Sequence, residues 1–149
     1  MNSAIAASLR TLGDLIEAST AQFSVEYGED LPLVPGDSYV LEIVIGNMVS
    51  NACQALTDKQ QRISVSSTCE SDGWAAIRIV DGGEGISPDN IRHIFDPCFT
   101  TKHHRGGLGI GLSICHDIVT RLGGTITCHS APGSGTDMLV RLPPEEMHQ

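Results

Sequence analysis

The chain has 149 residues, 40% of them apolar and 4% aromatic, with 9 Lys+Arg against 18 Asp+Glu and a formal charge of −9. That length fits one compact domain with a core of Ile, Val, Leu and Ala. The acidic balance and the scarcity of stacking side chains exclude nucleic acid as an expected partner.

Over 1–20, Ile5, Leu9, Leu12, Leu15 and Ile16 fall at near-helical spacing up to Ser19-Thr20, which predicts a helix or linker remnant ahead of a domain over 21–149. Residues 23–28 alternate as a strand, and 31–35 read as an extended connector because proline disfavours helix in the residue before it. Asp37 or Ser38 then caps a long helix to about Thr57, with Val40, Leu41, Val44, Met48, Val49 and Ala52 recurring every three or four residues. Stretches 62–70 and 74–81 each alternate with period two and flank Ser71-Asp72-Gly73, so an antiparallel hairpin is expected. A short helix is expected over 90–95, a loop over 96–107, and a second long helix over 108–122 that stops at Gly123-Gly124. Strands over 125–129 and 136–142 close the chain across Ala131 to Gly135. These elements predict an α/β sandwich with one sheet face covered by helices and the other exposed. No apolar run is long enough to cross a membrane and no leader pattern is visible. The five cysteines, scattered without a C-x-x-C pair, read as reduced thiols of a cytoplasmic protein.

Three glycine clusters punctuate the domain: Asp81-Gly82-Gly83-Glu84-Gly85, Gly106-Gly107-Leu108-Gly109-Ile110-Gly111 and Gly133-Ser134-Gly135. Each alone has turn composition. Together they are more informative, because the first follows a carboxylate at a strand end and the second opens a helix. Backbone N–H groups at a helix start lack internal partners and the dipole there favours anions, so 109–112 reads as a phosphate cradle. Lys102, His103, His104 and Arg105 stand just before it, either as a solvated loop or as counter-charge for a polyphosphate. A P-loop is excluded by its missing signature, and a dinucleotide turn by the loop-like residues ahead of the glycines. Asn47 and Asn51 project from one face of the long helix. They either satisfy loop backbone groups or offer amide oxygens to Mg²⁺, a hard cation that borrows further ligands from phosphates.

In order, Asn47-x-x-x-Asn51-Ala52, Asp81-x-Gly83-x-Gly85-Ile86, Ile94-Phe95-Asp96-Pro97-x-Phe99-Thr100-Thr101-Lys102, Gly107-x-Gly109-x-Gly111-Leu112-Ser113 and Gly133-x-Gly135-Thr136 resemble the five boxes of a sensor histidine kinase ATP-binding domain. The resemblance spans about 22–143, and the short stretch between the third and fourth boxes is similar to the nitrogen-regulation type. It implies the Bergerat fold: a mixed, mainly antiparallel sheet of about five strands with three helices on one face. It also implies an ATP site. In it Asp81 accepts from the adenine amino group, with Gly83, Gly85, Ile86 and Thr136 around the base. Asn51 ligates Mg²⁺ and Asn47 supports it. Gly107, Leu108, Gly109, Ile110, Gly111 and Leu112 lie at the phosphates. Phe95 and Phe99 seat a lid carrying Thr100 and Thr101, and Lys102 and Arg105 reach the phosphates. The resemblance makes Asn47, Asn51 and Lys102 the catalytic set. Gly82 stands where Asn or Asp is frequent in the family, and Gln54 where some members carry a cation.

In the ATP-hydrolysing relatives a glutamate four residues before the metal-binding asparagine activates water, and here that position is Asn47. An amide cannot take the proton, which implies a kinase. None of the six histidines lies in the context of an acceptor helix. The chain is therefore expected to be the catalytic portion of a longer sensor kinase, monomeric by itself. Its partners would be a histidine-containing dimerisation domain, in the parent chain or in trans, and downstream the receiver domain of a response regulator. Two other readings stay open: an anti-sigma-type protein-serine kinase and a nucleotide-gated protein-binding module.

Overall fold

A computed structural model describes residues 1–99 and 111–146. Five strands form one sheet in the order β1-β2-β3-β5-β4. β1 (Gln22–Glu26) runs parallel to β2 (Arg62–Cys69). The neighbours β3 (Ala75–Asp81), β5 (Thr136–Leu142) and β4 (Thr125–Ser130) are antiparallel, so the sheet is mixed and mainly antiparallel. Two local hairpins, β2–β3 and β4–β5, are joined along the β3–β5 seam, where Asp81 pairs with Thr136, Ile79 with Met138 and Ile77 with Val140.

The period-two pattern sorts the faces. Ile63, Val65, Ile77, Ile79, Met138 and Val140 are buried on the inner side, whereas Arg78 and Asp137 pair on the outer side. Burying each of the larger aliphatic side chains contributes roughly 2 kcal/mol before the entropy of ordering is counted.

Above the inner face lie α3 (Ser38–Ala55) and α5 (Gly111–Arg121). α3 starts where Val40 N–H donates to Asp37 Oδ1 at 2.9 Å, and it buries Leu41, Val44, Ile45, Met48, Val49 and Ala52 along one stripe. It stops short of the expected Thr57, because Leu56 turns extended and Thr57 N–H donates instead to Gln61 Oε1 at 2.7 Å. The part of the second long helix expected over 108–110 lies outside the described residues. α4 (Pro88–Ile91) begins earlier than the expected 90–95 and is shorter. Ser87 caps it by accepting from Asn90 N–H, and Pro88 supplies a ready-made first-turn φ. Beyond Ile91 the chain proceeds in successive tight turns, with His93 N–H donating to Asn90 O and Asp96 N–H to His93 O, both at 2.9 Å.

Residues near the start form α1 (Asn2–Thr11) and α2 (Gly13–Ser19), which pack on α3. Ala4 and Ile5 are each 1% exposed and belong to the common core. A polar triangle fixes the start of α1: Asn2 Nδ2 donates to Gly28 O (2.9 Å), Ser67 Oγ to Asn2 Oδ1 (2.6 Å) and Gly28 N–H to Ser67 Oγ (2.9 Å). Among the described residues no helix is long and apolar enough to cross a membrane.

Candidate functional site

The inner face of β3 ends in Asp81, 6% exposed, with Thr136 of β5, 9% exposed, beside it in register. A buried carboxylate is costly unless hydrogen bonds answer it. Gly83 N–H supplies one to Asp81 Oδ1 at 2.9 Å. The loop that carries Gly83 is held on three sides. Gly82 N–H donates to Arg62 O (2.9 Å), Glu84 N–H to Ala55 O at the end of α3 (3.0 Å), and Gly133 N–H to Glu84 O (2.8 Å). Two of the expected glycines are required here by space as well as by backbone angle. Gly85 (φ +75°) and Gly135 (φ +72°) would place a Cβ inside the carbonyl oxygens of Ala131 and Asp81 respectively. Asp81, Gly83, Gly85, Ile86 and Thr136 therefore meet at one corner of the molecule.

Three residues of this corner were not anticipated from the sequence. Ser130, the last residue of β4, accepts from Ile86 N–H at 2.8 Å, donates to Gly135 O at 2.7 Å and lies 2.9 Å from Thr136 Oγ1. β4 runs one residue beyond the expected 129, and that extension puts Ser130 opposite Thr136. Cys128 and Cys53 flank Asp81 from β4 and α3. Burial pushes the Cys128 thiol up to about 11, with the negative charges of Asp81 and Asp137 adding to the shift. The Cys53 thiol is raised in the same way, by burial first and by Asp81 to a smaller extent. Both stay protonated and pack as small neutral groups at the core.

The other part of the candidate site lies where α3 and α5 pack together. Asn47, Asn51 and Ala55 are spaced four apart on α3 and so share a face. Asn47 reaches across to α5, with its Oδ1 3.3 Å from the position a Cβ on Gly111 would take. It also borders Cys115, whose thiol donates to Val44 O at 3.6 Å and is pushed up to about 12 by burial. The described part of α5 begins at Gly111 and Leu112, beside the amide of Asn47. Asn51 lies between Asn47 and Ala55, the residue whose carbonyl holds the glycine loop.

At the edge, the Phe95 ring packs against His116 (5.3 Å between centroids) and the Phe99 ring against His93 (5.8 Å), while His93 Nδ1 lies 2.9 Å from Asp96. Thr100, Thr101, Lys102, Arg105, Gly107, Leu108, Gly109 and Ile110 lie outside the described residues. Several other cations are engaged in ion pairs: Arg78 with Asp137, Arg92 with Asp89, and Arg141 with Glu70 and Asp72. Among the described residues no group of three or more His, Cys, Asp or Glu is placed to hold a metal ion. Any cation there would depend on amide oxygens and on ligands brought by an anion.

A strand-end carboxylate is fixed by a glycine loop that the carboxyl end of α3 also holds, and the two amides of α3 lie one and two turns further back. The chain belongs to the histidine kinase-, DNA gyrase B- and HSP90-like ATPase family, whose model matches residues 36–146. It is 38% identical over 116 residues to the two-component sensor PprA of Pseudomonas aeruginosa, a match covering 74% of this chain and 12% of that protein. It is 34% identical over 143 residues to the sensor histidine kinase ZraS of Escherichia coli K12, covering 96% of this chain and 30% of that protein. Among solved structures it resembles the mycobacterial sensor histidine kinase MprB with a TM-score of 0.81 and 27% identity, over 99% of this chain and 96% of that one. The chain thus spans less than a third of the length of these two curated relatives.

Proposed function

We propose that this chain is the catalytic ATP-binding domain of a two-component sensor histidine kinase. It binds Mg²⁺-ATP and presents the γ-phosphoryl group to a histidine on a dimerisation domain, from which a response regulator receiver takes it. The observation that carries this reading is the inward, nearly buried Asp81 held by Gly83 beside Thr136, an acceptor aimed where an adenine amino group would lie. Opposite it, the start of α5 would receive phosphate oxygens on backbone N–H groups, joined by Gly107, Gly109, Lys102 and Arg105. Phe95 and Phe99 would seat the segment between.

The donor set fits Mg²⁺. Asn51, supported by Asn47, offers neutral amide oxygens, which suit a cation that keeps several waters and takes its other ligands from phosphates. When bound, the ion would neutralise charge developing on the transferred group. Asn47 has no basic atom to take a proton from water, so ATP would be kept for the partner's imidazole. That nitrogen attacks the γ-phosphorus in line, the P–N bond forms and ADP leaves.

Calorimetric titration of ATP with and without Mg²⁺ tests the site. Asp81→Asn is expected to lose about 2 kcal/mol of ATP binding, and an unchanged affinity would remove Asp81 from the base pocket. Asn51→Ala is expected to stay folded and bind ATP without Mg²⁺ dependence; retained dependence sinks the metal assignment. Adding a helical histidine fragment of a sensor kinase then tests the reaction. Acid-labile phosphate on the fragment supports the kinase reading, whereas acid-stable label on a partner replaces it with serine phosphorylation.

A further inference from the structure

We infer that Ser130 is a specificity-determining residue of the base pocket. By directing its proton to Gly135 it fixes Thr136 as a hydrogen-bond acceptor, so the pocket selects purines with an exocyclic amino group over those with an oxo group at the same edge. This deepens the proposed adenine site and rests on it.

The inference follows from counting protons. A serine hydroxyl has one proton and two lone pairs. One lone pair of Ser130 Oγ accepts from Ile86 N–H at 2.8 Å. The carbonyl of Gly135, 2.7 Å away, can only accept, so the proton is committed there. Thr136 Oγ1, at 2.9 Å, must then donate to the remaining lone pair. Thr136 is left with lone pairs alone to offer a base seated beside it. Its neighbour in register, Asp81, also presents lone pairs when ionised, and accepts from Gly83 N–H. A base seated against these two residues, 9% and 6% exposed, is matched best by a group that brings donors. An amino group does so directly or through a water, whereas an oxo group would set lone pairs against lone pairs. Without the Ser130 hydroxyl, the Thr136 proton can rotate toward an oxo group, and discrimination falls to what Asp81 provides alone.

The experiment is titration of Mg²⁺-ATP and Mg²⁺-ITP into the whole chain, as wild type, Ser130→Ala and Ser130→Thr, with Asp81→Asn alongside. The ratio of ATP to ITP affinity is expected to fall about tenfold in Ser130→Ala and to be kept by Ser130→Thr, which restores the hydroxyl. Loss of the Ile86 and Gly135 contacts as mere scaffolding would weaken both nucleotides together and leave the ratio unchanged. An unchanged ratio in folded Ser130→Ala overturns the inference while leaving the adenine site standing. Equal binding of both nucleotides by wild type, with Asp81→Asn also without effect, overturns the adenine site as well. If the alanine variant does not fold, Ser130→Cys, a weak donor and acceptor of similar size, is read in the same way.

Discussion

The two hairpins of the sheet end in turns built from different materials. The β2–β3 turn, at the end of the sheet opposite Asp81, is a solvated assembly of charges. Arg141 Nε donates to Glu70 at 2.6 Å and its terminal nitrogen to Asp72 at 2.5 Å, and the guanidinium lies 4.9 Å from the centre of the Trp74 ring. Gly73 has φ +85°, yet a Cβ there would meet only open space. The β4–β5 turn has a glycine with a similar backbone angle, but Gly135 is pressed against the carbonyl of Asp81, and its neighbours are tied by a hydroxyl rather than by ion pairs. One turn needs glycine for conformation alone, the other for conformation and space. The tightly fitted turn is the one at the site.

Four substitutions sharpen this contrast, each read by urea unfolding. Gly135→Ala is expected to cost about 3 kcal/mol, combining a left-handed backbone with a carbonyl clash. A loss no larger than that of Gly73→Ala would mean that the turn can move away from Asp81. Gly73→Ala should cost about 1 kcal/mol, the backbone angle alone, and leave ATP affinity unchanged. Arg141→Ala is expected to lower stability less than that, since its ion pairs are partly exposed, again with no effect on ATP; a change in ATP affinity would connect the two ends of the sheet. The smallest effect is read from the pH dependence of stability. Trp74 N–H, at 3.0 Å, and secondarily Arg141 hold the Asp72 carboxyl below the usual carboxylate range. A depressed carboxyl contributes stability above its unfolded pKa that is lost as pH falls through its folded pKa. Asp72→Asn should therefore lose a small contribution at neutral pH, converge on the wild type in acid, and so flatten the acid side of the stability profile. An acid limb of unchanged slope would show that Asp72 does not titrate against folding.

Much of this arrangement is legible in the residues because local rules and tertiary demands agree. The alternation over 62–70 and 74–81 places both strands within a residue of β2 and β3, since one sheet face is buried and a slip would expose it. Asp81, Gly85 and Thr136 come together as the resemblance implies, because strand register decides it. α4 starts two residues ahead of the expected 90 because the Ser87 side chain caps it and Pro88 fits its first turn. Ser130 escaped because a serine at a strand end is common and its importance lies in three partners from other segments. The burial of Ala4 and Ile5 under α1 depends on the surface of α3, which no local pattern reports.

The candidate site straddles the β3–β5 seam, with Asp81, Gly83 and Gly85 on one side and Ser130, Gly135 and Thr136 on the other. Each hairpin can close on itself, but the seam joins residues far apart in the chain and is the slow kind of contact to form. A nucleotide lying across it would act as a clasp, engaging only after both hairpins are in place. Its stabilisation would then appear in how slowly the domain comes apart rather than in how fast it assembles, so lifetime as a folded body would track the cell's supply of the ligand.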